Sequence, residues 1–153
     1  MSETPDRTLS GRMTGGEHRF PVRIFYEDTD AGGIVYYARY LHFAERARTE
    51  ILRLAGIEQS KLRDDHGVVF AVRRCEIDYR RPARLDDLVE VRSRLTVLRG
   101  ARMSAAQSVW RTGEELVRLA VEIAALRGDG RPARIPAPVH AALQPFVQPL
   151  EQG

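Results

Sequence analysis

Apolar Phe20, Val22, Ile24 and Tyr26 alternate with polar Arg19, Arg23 and Glu27, which predicts a half-buried strand. The period then lengthens. Tyr37, Tyr40, Leu41, Ala44, Ala47, Ile51 and Leu54 recur at helical spacing, and Gly56 stands where a left-handed C-terminal cap belongs. Glu45/Arg48 and Glu50/Arg53 are spaced to pair on the outer face of this helix, at only about 0.2–0.5 kcal/mol each. Alternation returns in four further strands. Over 68–80, Cys75, Ile77 and Tyr79 share one face and Arg74, Glu76, Asp78 and Arg80 the other. Val68, Phe70 and Val72 are in the opposite phase, so a bulge is expected near Arg73. Val89, Val91, Leu95 and Val97 mark a strand over 88–98, and Arg99-Gly100 is a tight link to another over 101–111. Thr112-Gly113 leads into the last, through Val117, Leu119, Val121 and Ile123. One strand, one long helix and four largely antiparallel strands predict an α+β domain whose single curved sheet wraps the helix.

The flanks read differently. Residues 1–18 are polar, with no apolar periodicity and no stretch resembling a signal peptide, and are expected to form a flexible tail. Residues 128–153 carry Pro132, Pro136, Pro138, Pro145 and Pro149, which exclude a long helix or a central strand and predict a proline-rich strap or tail. The folded domain is therefore expected over 19–127. At 153 residues and 43% hydrophobic content the chain can build one core. No apolar run reaches the roughly 18 residues of a membrane-spanning helix. A single cysteine, Cys75, excludes an internal disulfide or a cysteine-rich zinc site, so the expected compartment is the cytoplasm. The 24 basic and 21 acidic residues are interleaved, which suits a solvated surface and argues against a nucleic-acid-binding face.

Candidate chemistry concentrates at Asp28-Thr29-Asp30, between the first strand and the helix and beside Gly32 and Gly33. Three readings stand open: a plain turn, a two-carboxylate Mg²⁺ or Mn²⁺ site, or a catalytic carboxylate at the positive end of a helix. No serine lies in a G-x-S-x-G setting, which argues against a serine hydrolase.

The longer run from Tyr26 to Tyr37 (YEDTDAGGIVYY), followed by Tyr40, Phe43, Glu45-Arg46-Ala47-Arg48, Glu50 and Leu52-Arg53, resembles the hot-dog-fold acyl-CoA thioesterases. It is similar to the 4-hydroxybenzoyl-CoA thioesterase family, in particular the branch associated with the Tol–Pal envelope system. Phe70, Val72, Pro82-Ala83-Arg84-Leu85-Asp86-Asp87 and Arg99-Gly100 extend the resemblance over about Arg19 to Leu126. The resemblance implies a five-stranded antiparallel sheet wrapped around one central helix, homodimers or homotetramers with interfacial sites, and no cofactor or metal. It places the catalytic aspartate at Asp30, the oxyanion-binding backbone amide at Tyr37, and a further implicated tyrosine at Tyr26. Where the branch carries a histidine on the first helical turn, this chain has Tyr37.

Those residue types suit thioester hydrolysis. A backbone amide at a helix start has no intrahelical acceptor and can bind the oxyanion that forms on the thioester carbonyl. Gly32 and Gly33 would let the acyl group approach the backbone. Asp30 would act as nucleophile or as general base, and a thiolate leaves without a strong acid. Arg99 and Arg102, flanking a hairpin turn, are candidates for the nucleotide phosphates of coenzyme A. Expected partners are an acyl-CoA, with acyl carrier protein as an alternative carrier. Two rivals remain: a hot-dog hydratase or dehydratase, and a non-catalytic acyl-CoA or acyl-carrier-protein binding module serving the envelope.

Overall fold

A computed structural model describes residues 7–148; residues 1–6 of the expected N-terminal tail and 149–153 of the C-terminal segment lie outside the described residues. The chain builds β1 (Arg12–Thr14), β2 (Glu17–Arg23), α1 (Arg39–Leu54), α2 (Gln59–His66), β3 (Val68–Tyr79), β4 (Leu88–Arg99), β5 (Arg102–Arg111), β6 (Glu114–Arg127) and α3 (Ala137–Leu143). The six strands form one sheet in the order β1-β2-β4-β5-β6-β3, with every pairing antiparallel. The hot-dog α+β architecture is thus present, and the short β1 adds a sixth strand to the expected five.

Alternation decides what the sheet buries. Val89, Val91, Leu95, Ala105, Val109, Val117, Leu119 and Val121 form the inner face, and Phe43, Ala44, Ala47 and Ile51 of α1 pack in the same core. The register shifts between Val72 and Arg74, so Arg73 is the expected bulge, and similar shifts follow Leu95 and Val109. Such bulges bend and twist the strands. At the end of α1, Gly56 takes φ +81°. Its N–H donates to the Arg53 carbonyl at 2.9 Å, and that of Ile57 donates to Leu52 at 2.8 Å, which is the two-bond Schellman termination.

Four features correct or extend these expectations. The supposed N-terminal tail is structured from residue 7: Arg12–Thr14 pairs with Glu17–Arg19, and His18 is fully buried. A buried polar side chain breaks no rule of sheet pairing, but it hides the strand from a pattern of apolar residues. Of the two readings of the proline-rich segment, strap or tail, its described part is the strap. Ala133 N–H donates to Ala125 at 2.8 Å, Ile135 to Gly100 at 2.9 Å, and α3 buries Val139 and Leu143. Helix α2 has no apolar period to announce it in the sequence, because only Leu62 of its eight residues is buried. The β4–β5 turn is Gly100-Ala101, one residue beyond the expected Arg99-Gly100, since Arg99 pairs with Arg102.

Candidate active site

After Arg23 the chain leaves the sheet, but Ile24 stays tied to the β3–β4 connection through Ile24 N–H to Asp87 and Asp86 N–H to Ile24, at 2.9 and 3.0 Å. A 3-10 turn over Tyr26–Asp28 follows. Residues 28–36 then fold back on themselves. Asp30 N–H donates to Ile34 and Tyr36 N–H to Asp28, both at 2.9 Å, and Gly33, with φ +78°, turns the chain between them. The Pro82–Asp87 segment is the seat of this loop. Val35 N–H donates to the Ala83 carbonyl at 2.9 Å, and Ala83 N–H donates to Tyr40 Oη at 3.0 Å. Burial pushes the Tyr40 phenol above its ordinary range, so it stays neutral. On the far side of the seat, partial burial would raise the Asp87 carboxyl, but the Arg84 amide and the Arg111 guanidinium together hold it below the usual carboxylate range.

The two aspartates of the loop separate cleanly. Asp28 is 3% exposed; its Oδ1 accepts from Arg39 Nε at 3.0 Å and Nη2 at 2.6 Å, and its Oδ2 accepts from the Phe25 amide at 2.9 Å. Both oxygens are committed to holding the loop against α1. Asp28 thus has neither carboxylate oxygen left free of a hydrogen bond for a cation shared with Asp30. Asp30 is exposed, and one oxygen accepts from Gly32 N–H at 2.8 Å. Its other oxygen takes no hydrogen bond among the described residues. A Cβ built on Gly32 would stand 3.2 Å from Asp30 Oδ1, so a side chain there would crowd the carboxylate.

Tyr37 lies in the turn just before α1. Arg39 N–H donates to Tyr36 at 2.9 Å and Leu41 N–H to Ala38 at 3.2 Å, a 3-10 lead-in to the helix. The Tyr37 N–H finds no acceptor among the described residues and remains an orphan donor at the helix N-terminus. Tyr79, which the sequence suggested only as a strand residue, reaches across from the end of β3: its hydroxyl donates to the Tyr37 carbonyl at 2.9 Å. With Tyr36, 4.7 Å from Tyr37 between ring centroids, it forms an aromatic rim around the turn. Nothing in an alternating pattern distinguishes such a clasp from packing. Tyr26 is 83% exposed beside the same loop.

Arg99 and Arg102 do not join this group within one protomer. Arg102 pairs with Ala124, and Ala124 with Ala71, whereas the Tyr79 clasp is eight residues further along β3, a contour of about 26 Å. His42 is exposed on α1, and Cys75 is half-buried, its thiol pushed up by that burial.

The sequence model of the thioesterase superfamily matches residues 32–118. An acyl-CoA thioesterase, YbgC, from Haemophilus influenzae is 44% identical over 124 residues, covering 80% of this chain and 91% of that protein. The acyl-CoA thioester hydrolase YbgC of Escherichia coli O6:H1 is 47% identical over 91 residues, 60% of this chain and 67% of its own. Among solved structures, a probable thioesterase from Bartonella henselae superposes with a TM-score of 0.74 at 39% identity, over 78% of this chain and 99% of that one. A 4-hydroxybenzoyl CoA thioesterase superposes with a TM-score of 0.78 over 84% of this chain and 99% of that one; at 20% identity it speaks for the fold alone.

Proposed function

The chain belongs to the thioesterase superfamily and is an acyl-CoA thioester hydrolase; from that premise we propose that the Asp30 turn is its active site. The observation that carries this reading is the pairing, in one loop, of an exposed carboxylate with a spare oxygen and an orphan amide at a helix start. The thioester carbonyl oxygen accepts from Tyr37 N–H, which stabilises the negative charge that builds there as the carbon becomes tetrahedral. In one course Asp30 attacks the carbon, the C–S bond breaks, the thiolate of coenzyme A leaves, and water hydrolyses the resulting anhydride. In the other, Asp30 takes a proton from the water that attacks. Tyr26 borders the acyl or thioester portion, and Gly32 and Gly33 keep the approach clear.

The working unit we propose is a homodimer or homotetramer. Strand β3 is a sheet edge of twelve residues on which Val69, Val72 and Tyr79 are exposed beside Arg73, Arg74, Glu76 and Asp78, and a long unpaired edge of this kind calls for a partner. Arg99 and Arg102 would then meet coenzyme A phosphates only across chains. The envelope-associated branch is favoured by the Tyr26–Tyr37 and Pro82–Asp87 runs, and the cytoplasm is the compartment that fits its substrate. Among the described residues no helix is long and apolar enough to cross a membrane. Thiol release from a panel of acyl-CoAs and acyl carrier proteins tests the reading. Turnover with the wild type and its loss in Asp30→Asn are expected, and equal turnover by both overturns it. After single-turnover hydrolysis in ¹⁸O-water, label found in the Asp30 peptide identifies the nucleophile course, with water attacking the Asp30 carboxyl carbon of the anhydride.

A further inference from the structure

Arg48 departs from its expected place. Glu50 and Arg53 do pair on the surface of α1, but Glu45 and Arg48 form no ion pair. The Arg48 guanidinium turns inward instead, and its Nη1 donates to Gln107 Oε1 at 2.9 Å. Gln107 is 2% exposed, and its Nε2 donates to the Ala44 carbonyl at 3.0 Å and to Ser93 Oγ at 2.9 Å. Those two bonds fix the amide, so its oxygen is committed to orienting Arg48.

A guanidinium offers five N–H donors, and Arg48 spends one of them on the described residues. The others are not sealed in protein, because His18 Nδ1 is the only buried side-chain nitrogen or oxygen without a partner among the described residues. They open into a groove of about 420 Å³ between α1 and β3. Ile51, Leu52, Phe70, Leu95 and Met103 make most of its wall apolar. Of the other titratable groups lining it, Cys75 is a thiol whose burial keeps it protonated, and Glu45 is exposed. Burial works against the charge on Arg48, and the Glu45 carboxylate works for it. A half-sequestered cation with unused donors in an apolar groove calls for an anion brought by a ligand.

Leu41, which lines the groove, stands four residues beyond Tyr37 in the chain. We propose that the groove holds the acyl part of the substrate and that Arg48 selects medium-length acyl groups ending in a carboxylate. This inference rests on the assignment of the Asp30 turn as the thioesterase site. Arg48 lies nine residues beyond Arg39, about 14 Å along the helix, a span suited to a medium chain and too long for an acetyl group. The planar guanidinium fork matches a carboxylate in shape as well as charge.

Octanedioyl-CoA and octanoyl-CoA, with their non-hydrolysable thioether analogues, provide the test. kcat/KM and Kd are measured for the wild type, Arg48→Met and Arg48→Lys, with sedimentation of each variant. The wild type is expected to favour the octanedioyl ligands, and Arg48→Met to lower that preference about 30-fold in both measures, with Arg48→Lys between them. No preference in the wild type overturns the proposal without any variant being needed. So does a Met variant that weakens both ligands alike or changes the sedimentation coefficient, since Arg48 would then face a second copy of the chain. Preferential binding of the octanedioyl thioether with no thiol release from any acyl-CoA would leave the carboxylate site standing and overturn the thioesterase reading of Asp30.

Discussion

The floor and the rim of the Tyr26–Tyr37 loop are built from the same residue types and do opposite things. On the floor, Asp28 has every oxygen engaged, by Arg39 and by the Phe25 and Tyr36 amides, while Val35, Ala83 and Tyr40 are buried around it. On the rim, two residues away, Asp30 keeps an unshared oxygen, and further along Tyr37 keeps an unshared amide, and both residues are exposed. Filled hydrogen-bonding capacity holds the loop; capacity left unfilled at its surface is what a substrate can use. Residue type alone separates nothing here.

The comparison breaks or stands first on Asp30→Asn. The amide has nearly the carboxylate's shape and still accepts from Gly32 N–H, so the fold should persist. Asparagine is neither nucleophile nor base, and kcat is expected to fall about 10²–10⁴-fold with a nearly unchanged melting temperature. Asp28→Asn should invert the pattern. It leaves Arg39, whose side chain is 26% exposed, without its anion. Partial solvation softens the cost of breaking a buried pair to about 2–3 kcal/mol, seen in denaturant titration. Turnover per folded molecule should hold. Equal kcat losses in the two variants would erase the distinction between floor and rim.

Two smaller changes sharpen it. Gly32→Ala sets a methyl 3.2 Å from Asp30 Oδ1 without needing a left-handed backbone. A displaced carboxylate should lower kcat about tenfold, with stability little altered. Tyr37→Phe removes the phenol and leaves the amide, so its effect should fall well short of the about 10²-fold that a lost oxyanion donor costs. A loss of that size in steady-state assays would transfer the role from backbone to hydroxyl.

Much of this architecture is legible in the alternation of side chains, because burial of one sheet face imposes a period of two and a wrapped helix imposes 3.6. Even the bulge at Arg73 shows as a slip of phase. The assignment of Asp30 over Asp28 comes from a resemblance, and the structure adds a physical reason for it in the partners of Asp28. What stays hidden depends on distant elements. Arg48 sits three residues from Glu45 as a surface pair would, and only the position of Gln107, fifty-nine residues later, turns it inward. Tyr79 is an ordinary strand residue until the turn before α1 is brought beneath it. Residues 12–18 hide because three exposed positions and a buried histidine carry no apolar signal.

That histidine supplies the smallest prediction and limits the rule drawn from the loop. His18 also has unused capacity: Nε2 lies 2.6 Å from the Ser10 carbonyl and donates to it, while Nδ1 is buried without a partner. Unlike Asp30 it is closed to solvent, so its spare valence should affect stability and leave turnover alone. Desolvation holds its pKa below the ordinary 6.5, outweighing the Ser10 bond and then the nearby Glu50 carboxylate, which both act to raise it. The imidazole is therefore neutral in the native protein, whereas the unfolded chain takes up a proton as pH falls through about 6.5. Stability should decline below that point and level off once pH passes the native pKa, with a slope of at most about 1.4 kcal/mol per pH unit. His18→Gln should be less stable near neutrality and lose this part of the slope between about pH 6.5 and 5, above the range where Asp87 and the other carboxylates titrate. Urea melts of the two proteins across that window decide it. Parallel stability–pH curves would mean that His18 is not neutral in the fold, and that Nδ1 has a partner after all.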